Sequence, residues 1–192
     1  VPGIVVMAPA NEDELADMMA TGLAYQGAAF IRYPRGNAVG TPLKQKPKAI
    51  EVGKAKRLRS GSDIDIWAIG TMVTDAEELA SSLREHGIDA GVVNARFLKP
   101  LDTALLAESA QSTRLIVTME DHVITGGLGS AAMEALQIAK LQHCPVERIG
   151  WPDAFIEHGS SVKKLRDENG LSPQSILDCV VAKFAKLAAL QT

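Results

Sequence analysis

The run AFIRYPRGN, residues 29–37, ends an apolar stretch in two arginines that flank a proline, with a glycine directly after. A guanidinium stays charged when partly buried and offers paired N–H donors to a carboxylate or phosphate. Arg32 and Arg35 are therefore either ion-pair partners within the fold or ligands of an anion. They stand at the C-terminal end of a strand-like run, where α/β sheets meet their ligands, and Gly36 allows a sharp turn there. A second stretch, MEDHVITGGLGS (119–130), places Glu120, Asp121 and His122 at a strand end, with Gly126, Gly127 and Gly129 leading into a helix. Such a loop can present amide N–H groups to an anion. Its spacing is neither G-x-G-x-x-G nor a P-loop, and no lysine follows the glycines. The other reading is a tight turn with close backbone packing. Glu120 and His122 are an acid–base pair or part of a hydrogen-bonded surface or subunit contact. A third stretch, GWPDAFIEHG (150–159), turns at Trp151-Pro152-Asp153 and is expected to anchor Phe155 and Ile156 in an apolar pocket. His158 in it is a ligand, a base or a structural histidine. His86 and His143 show no metal-ligand spacing, and no nucleophile elbow is visible.

These residues need elements to position them. Ile4 to Met7 reads as a buried strand, Asn11 as the N-cap of a helix whose first turn is acidic, and Ala28 to Tyr33 as a second strand. Leu15, Met18, Met19, Leu23 and Ala24 recur at helical spacing, and Gly27 is the expected stop. Residues 36–50 hold Gly, Pro and Lys without periodicity and read as a linker. Beyond it, an edge strand is expected over 52–58, then strands at 64–69, 90–94, 115–119 and 146–149. Helices are expected at 75–85, stopped by Gly87, at 103–110, introduced by Pro100 and Asp102, and at 130–141, 162–168 and 173–187, the last entered through Ser172 and Pro173. Strands alternating with helices imply an α/β fold with a mostly parallel sheet covered on both faces.

The 192 residues suffice for one ordinary domain or a domain with part of another, and 46% hydrophobic with 22% charged residues is a globular balance. A net charge of −3 without a basic block speaks against nucleic acid, and no apolar stretch approaches a membrane span. Cys144 and Cys179 read as buried, reduced thiols of a cytosolic protein. The chain begins at Val1 and runs straight into a strand-like stretch, so the expectation is a fragment of a longer protein.

Taken in order, MAPANEDEL, AFIRYPRGNAVG, ARFLKPLD (95–102), MEDHVITGGLGSA and GWPDAFIEHGS…LRDENGLSPQSI resemble the 1-deoxy-D-xylulose-5-phosphate synthase family over nearly the whole chain. Several of these elements are also similar to transketolases and to β subunits of 2-oxoacid dehydrogenases. RYPRGN and the ending PDxFIxHG…GL favour the synthase. The resemblance implies a thiamine-diphosphate and Mg²⁺-dependent enzyme, cytoplasmic and homodimeric, that joins pyruvate to D-glyceraldehyde 3-phosphate with release of carbon dioxide. The product feeds isoprenoid, thiamine and pyridoxal synthesis. It further implies that residues 1–40 are the tail of a pyrimidine-binding domain, 41–50 a linker, and 51–192 a transketolase-like C-terminal domain. Arg35 is then the substrate-phosphate ligand, with Arg32 as second choice. The cofactor site and the proton-handling groups are expected upstream of Val1, so the isolated chain is expected to bind no cofactor and to be inactive. The face of residues 1–35 that lacks its sheet neighbours is expected to be disordered, re-packed or covered by another copy. The alternatives are a C-terminal piece of a transketolase or of a dehydrogenase β subunit, and a non-catalytic assembly subunit of a split thiamine enzyme.

Overall fold

The structure, a computed structural model, describes residues 1–35, 39–158 and 161–189. Its centre is a five-stranded sheet of β3 (Lys56–Arg59), β5 (Ala90–Asn94), β4 (Ile64–Ala68), β7 (Leu115–Val123) and β8 (Val146–Trp151), in that spatial order. The three neighbour pairs from β5 to β8 are parallel, and β3 is an antiparallel edge. The mostly parallel α/β sheet expected from the alternating elements is the one observed.

Alternation along the central strands divides the core. Ile64, Ile66, Val92, Val117 and Met119 pack with α2 (Met72–Glu85) and α6 (Pro173–Ala189) on one face. Trp67, Val93 and Ile116 pack with α3 (Thr103–Ser112) and α4 (Leu128–Ile138) on the other. Both faces are covered, so β4, β5 and the first part of β7 are buried throughout and read as mostly apolar runs, with Asp65, Asn94 and Thr118 as buried polar exceptions. The caps read from the sequence hold. Asn11 accepts from the Glu14 amide, Asp102 from that of Leu105 and Ser172 from that of Ser175, and Gly87 takes the positive φ that ends α2.

The N-terminal piece forms β1 (Val5–Met7), α1 (Glu12–Ala24) and β2 (Ala29–Ile31), with β1 and β2 parallel. The third strand of this small sheet is β6 (Phe97–Lys99), which pairs antiparallel with β1. No periodicity announces β6, since it is three residues long. Its Phe97 is fully buried with Val5, Met7 and Met18. The junction also has a polar part. The Glu14 carboxylate accepts from Ala10 N, from Asn94 Nδ2 and, at 2.8 Å, from Arg96 Nε. Residues 1–35 thus pack against the larger unit, while Met19, Leu23 and Phe30 stay exposed.

Other expectations need correction. Helix α1 ends at Ala24, and the Tyr25 amide closes its last turn on Thr21, so Gly27 is not its stop. Strand β7 runs four residues further than its apolar run, carrying Glu120 to Val123 in extended form. Cys144 is buried but Cys179 is exposed, because it lies on the outer side of α6; both are free. Phe155 is fully exposed rather than anchored.

The segment read from the sequence as a linker also has a definite course. Glu12 Oε1 accepts from the amides of Gly40 and Thr41, Asp13 from that of Lys44, Asp17 from that of Lys48 and Thr21 from that of Ile50. Lys44 Nζ pairs with both Asp13 and Asp17. One stripe of α1 therefore straps residues 40–50 along its length. The acidic first turn complements the helix dipole, as read from the sequence, and also binds this segment.

Candidate functional site

Strand ends build the site. β2 ends at Ile31, and the Arg32 amide still donates to Met7 O at 2.8 Å, so the first arginine leaves the sheet in a fixed direction. The end of β7 lies alongside. Between them is a cleft of about 200 Å³ lined by Arg32, Glu120, Asp121, His122, Gly126 and Gly127, over an apolar floor that includes Met7, Ile69 and Leu98. The RYPRG and MEDH…GG stretches, read separately in the sequence, meet here.

The residues in the cleft differ in freedom. Glu120 is 3% exposed, and its two oxygens accept from the amides of Leu128, at 2.8 Å, and Gly129, at 3.0 Å. It caps the N-terminus of α4 through the space that a diphosphate or other anion would need. The glycines fit the close-packing alternative: a Cβ on Gly129 would lie 2.6 Å from the Arg148 side chain. His122 is exposed, and its Nδ1 lies 3.1 Å from the Val123 carbonyl oxygen. Glu120, two residues before it, turns both oxygens to α4 amides, and the two side chains form no hydrogen bond with each other.

Asp121, which the sequence did not single out as a site residue, joins the most elements. Its carboxylate accepts from Trp151 Nε1 at 2.7 Å and lies 3.4 Å from the Arg166 guanidinium. Its backbone oxygen accepts from Arg32 Nη2 at 2.6 Å. Arg166, in α5 (Val162–Glu168), also pairs with Asp75 of α2 at 3.0 Å. These partners come from four separate parts of the chain, so no local pattern could have disclosed them.

Arg35 is exposed and forms no hydrogen bond or ion pair with another described residue. Of the opening alternatives, Arg32 is engaged by a backbone oxygen and Arg35 by no carboxylate of the described chain. Gly36 and Gly159 lie outside the described residues. His158 is exposed in a separate depression with Phe155, Lys164 and Glu168. Among the described residues no three His, Cys, Asp or Glu groups are placed to hold a metal ion, and no helix is long and apolar enough to cross a membrane.

Residues 53–176 match the family described as transketolase, C-terminal domain. Along almost its whole length the chain is similar to curated proteins named 1-deoxy-D-xylulose-5-phosphate synthase. It is 46% identical over 190 residues to that of Acidobacterium capsulatum, covering 99% of this chain and 30% of the relative. It is 47% identical over 176 residues to that of Heliobacterium modesticaldum, covering 92% and 27%. The chain thus spans less than a third of the length of these relatives. Among solved structures, one described as a split gene transketolase, inactive beta4 tetramer, superimposes with a TM-score of 0.82 at 33% identity, covering 96% of this chain and 58% of that one. A transketolase of Pichia stipitis shares the fold, with a TM-score of 0.68 at 18% identity over 98% of this chain and 26% of that one.

Proposed function

The chain belongs to the transketolase C-terminal domain family, and from that premise we propose that it is the C-terminal portion of a 1-deoxy-D-xylulose-5-phosphate synthase. In this reading the whole protein is a cytoplasmic, homodimeric, thiamine-diphosphate and Mg²⁺-dependent transferase. It joins pyruvate to D-glyceraldehyde 3-phosphate, releases carbon dioxide and supplies isoprenoid, thiamine and pyridoxal synthesis. Residues 1–40 close the pyrimidine-binding domain, 41–50 link, and 51–192 form the C-terminal domain.

The observation that carries the site assignment is the freedom of Arg35. An exposed guanidinium four residues past the end of β2, with no carboxylate partner among the described residues, suits a doubly charged phosphate. Arg32 adds positive charge next to it and remains the second phosphate-binding residue in this assignment. When bound, thiamine diphosphate supplies the electron sink that decarboxylation of a 2-oxoacid requires. The glycine-rich turn after β7 does not fit that cofactor's diphosphate, because Glu120 takes the amides that would bind it. The cofactor is therefore assigned to the part of the enzyme that the longer relatives carry beyond this match.

The test is a chimera of the Acidobacterium capsulatum synthase in which this chain replaces the matching region. It should turn over pyruvate and D-glyceraldehyde 3-phosphate, while this chain alone, given thiamine diphosphate and Mg²⁺, should release no carbon dioxide from pyruvate. Arg35→Ala should raise KM for D-glyceraldehyde 3-phosphate by about 10- to 100-fold, the worth of one or two charge-assisted hydrogen bonds, and leave KM for pyruvate unchanged. An inactive, folded chimera would sink the reading.

A second reading is favoured by the likeness to the split-gene transketolase. There this chain would be part of an assembly subunit, and a separate polypeptide would carry the thiamine site. Sizing the native protein in source cells with an antibody to this chain separates the two. A band about three times longer supports the synthase; a shorter band that co-purifies with a thiamine-binding partner supports the split enzyme.

A further inference from the structure

We infer that Asp121 is a positioning residue for the phosphate-binding turn, acting through Arg32. The inference rests on the reading in which Arg35 binds the substrate phosphate.

Arg32 and Asp121 are 89 residues apart in sequence, and one hydrogen bond of 2.6 Å joins the guanidinium to the backbone oxygen. That oxygen has little freedom. The Asp121 carboxylate is held by Trp151 Nε1 at 2.7 Å and by Arg166 at 3.4 Å. The preceding residue, Glu120, is fixed to two amides of α4. Pairing of β7 with β8 is irregular between Met119 and Val123, so Asp121 depends on these side-chain contacts rather than on a continuous ladder. Arg32 is held from its other end by its amide on Met7 O. Its guanidinium therefore ties the start of the RYPR turn to the end of β7, three residues before Arg35. A long side chain held at both ends loses little further freedom on binding a ligand, and that reduction in cost is the gain from preorganisation.

The experiment uses the active chimera with Arg32→Ala, Asp121→Ala, the two combined, and Arg35→Ala as reference. Asp121→Ala is expected to raise KM for D-glyceraldehyde 3-phosphate about 3- to 10-fold with KM for pyruvate unchanged. The double variant should be no worse than the poorer single one, because both act on the same turn. Tryptic cleavage after Arg35 should also become several-fold faster in Asp121→Ala. If the Ala variant does not fold, Asp121→Asn serves instead: it keeps an acceptor for Trp151 and loses the charge facing Arg166. Unchanged cleavage after Arg35 together with unchanged KM overturns the inference, as do strictly additive effects on KM. Should Arg35→Ala leave KM unaltered while Asp121→Ala still speeds cleavage, the phosphate assignment falls and the positioning role stands.

Discussion

Gly127 lies so close to Glu120 that a Cβ on it would fall 1.8 Å from Glu120 Oε2. The turn after β7 needs this glycine for space: the approaching carboxylate must reach the amides of Leu128 and Gly129. The capping residue of α4 thus comes from the preceding strand, eight residues from the first amide it binds.

Removing that cap should be expensive. Glu120→Ala leaves two buried amides without partners, and the expected loss is about 2–4 kcal/mol of unfolding free energy. Gly127→Ala should destabilise by a similar amount through steric conflict with a carboxylate that has nowhere else to go. Denaturant unfolding of each variant measures both. A loss below about 0.5 kcal/mol for Glu120→Ala would show the cap to be dispensable.

The strap along α1 should respond to pH at both ends of the scale. Glu12's own amide, followed by those of Thr41 and Gly40, holds its carboxyl below the ordinary value. The Lys44 amide and then its ammonium do the same for Asp13. Lys44 is pushed up, by Asp17 first and Asp13 second. Carboxyls lowered in the folded state contribute stability that is present above their unfolded pKa, about 4, and lost as pH falls through the folded value. A raised lysine contributes below about pH 10.4 and loses its part as pH rises through its folded value. Proteolytic cutting of residues 39–50 should therefore be slowest between about pH 5 and 10 and quicken on either side. Cutting that ignores acid would mean that the carboxylates do not hold the segment.

Arg57 forks onto both oxygens of Asp65, at 3.0 and 2.8 Å, and Asp65 is fully buried. Its other nitrogen reaches Ser109 Oγ, which also accepts from Trp67 Nε1 at 3.0 Å. Arg57→Ala strands a buried carboxylate and should cost about 3–5 kcal/mol. Removing both charges, as in Arg57→Met with Asp65→Asn, should cost less, because no uncompensated ion remains. Thermal and denaturant unfolding of the three proteins would decide it.

The thiols should react in sequence. Burial pushes Cys144 up to about 11, whereas Cys179 is exposed and raised by partial burial and the nearby Glu147. Iodoacetamide at neutral pH should modify Cys179 first, more slowly than a free thiol, and Cys144 only after denaturation. Two equally fast equivalents in the native protein would contradict the burial of Cys144.

The sequence by itself determined the alternation of elements, the caps at Asn11, Asp102 and Ser172, and the family. These depend on local periodicity, on side chains that bond amides three residues away, and on residue strings such as RYPRGN. It also placed Arg32 and Arg35 at a strand end. Tertiary structure alone decided how the two arginines differ. Arg32 meets a backbone oxygen 89 residues away, and Arg35 forms no hydrogen bond or ion pair with another described residue. It likewise decided that Glu120 is a cap, that β6 completes the small sheet and that Glu12, Asp13 and Asp17 strap residues 40–48. Each of these contacts joins residues whose spacing in the chain carries no period, so only the folded backbone brings donor and acceptor together.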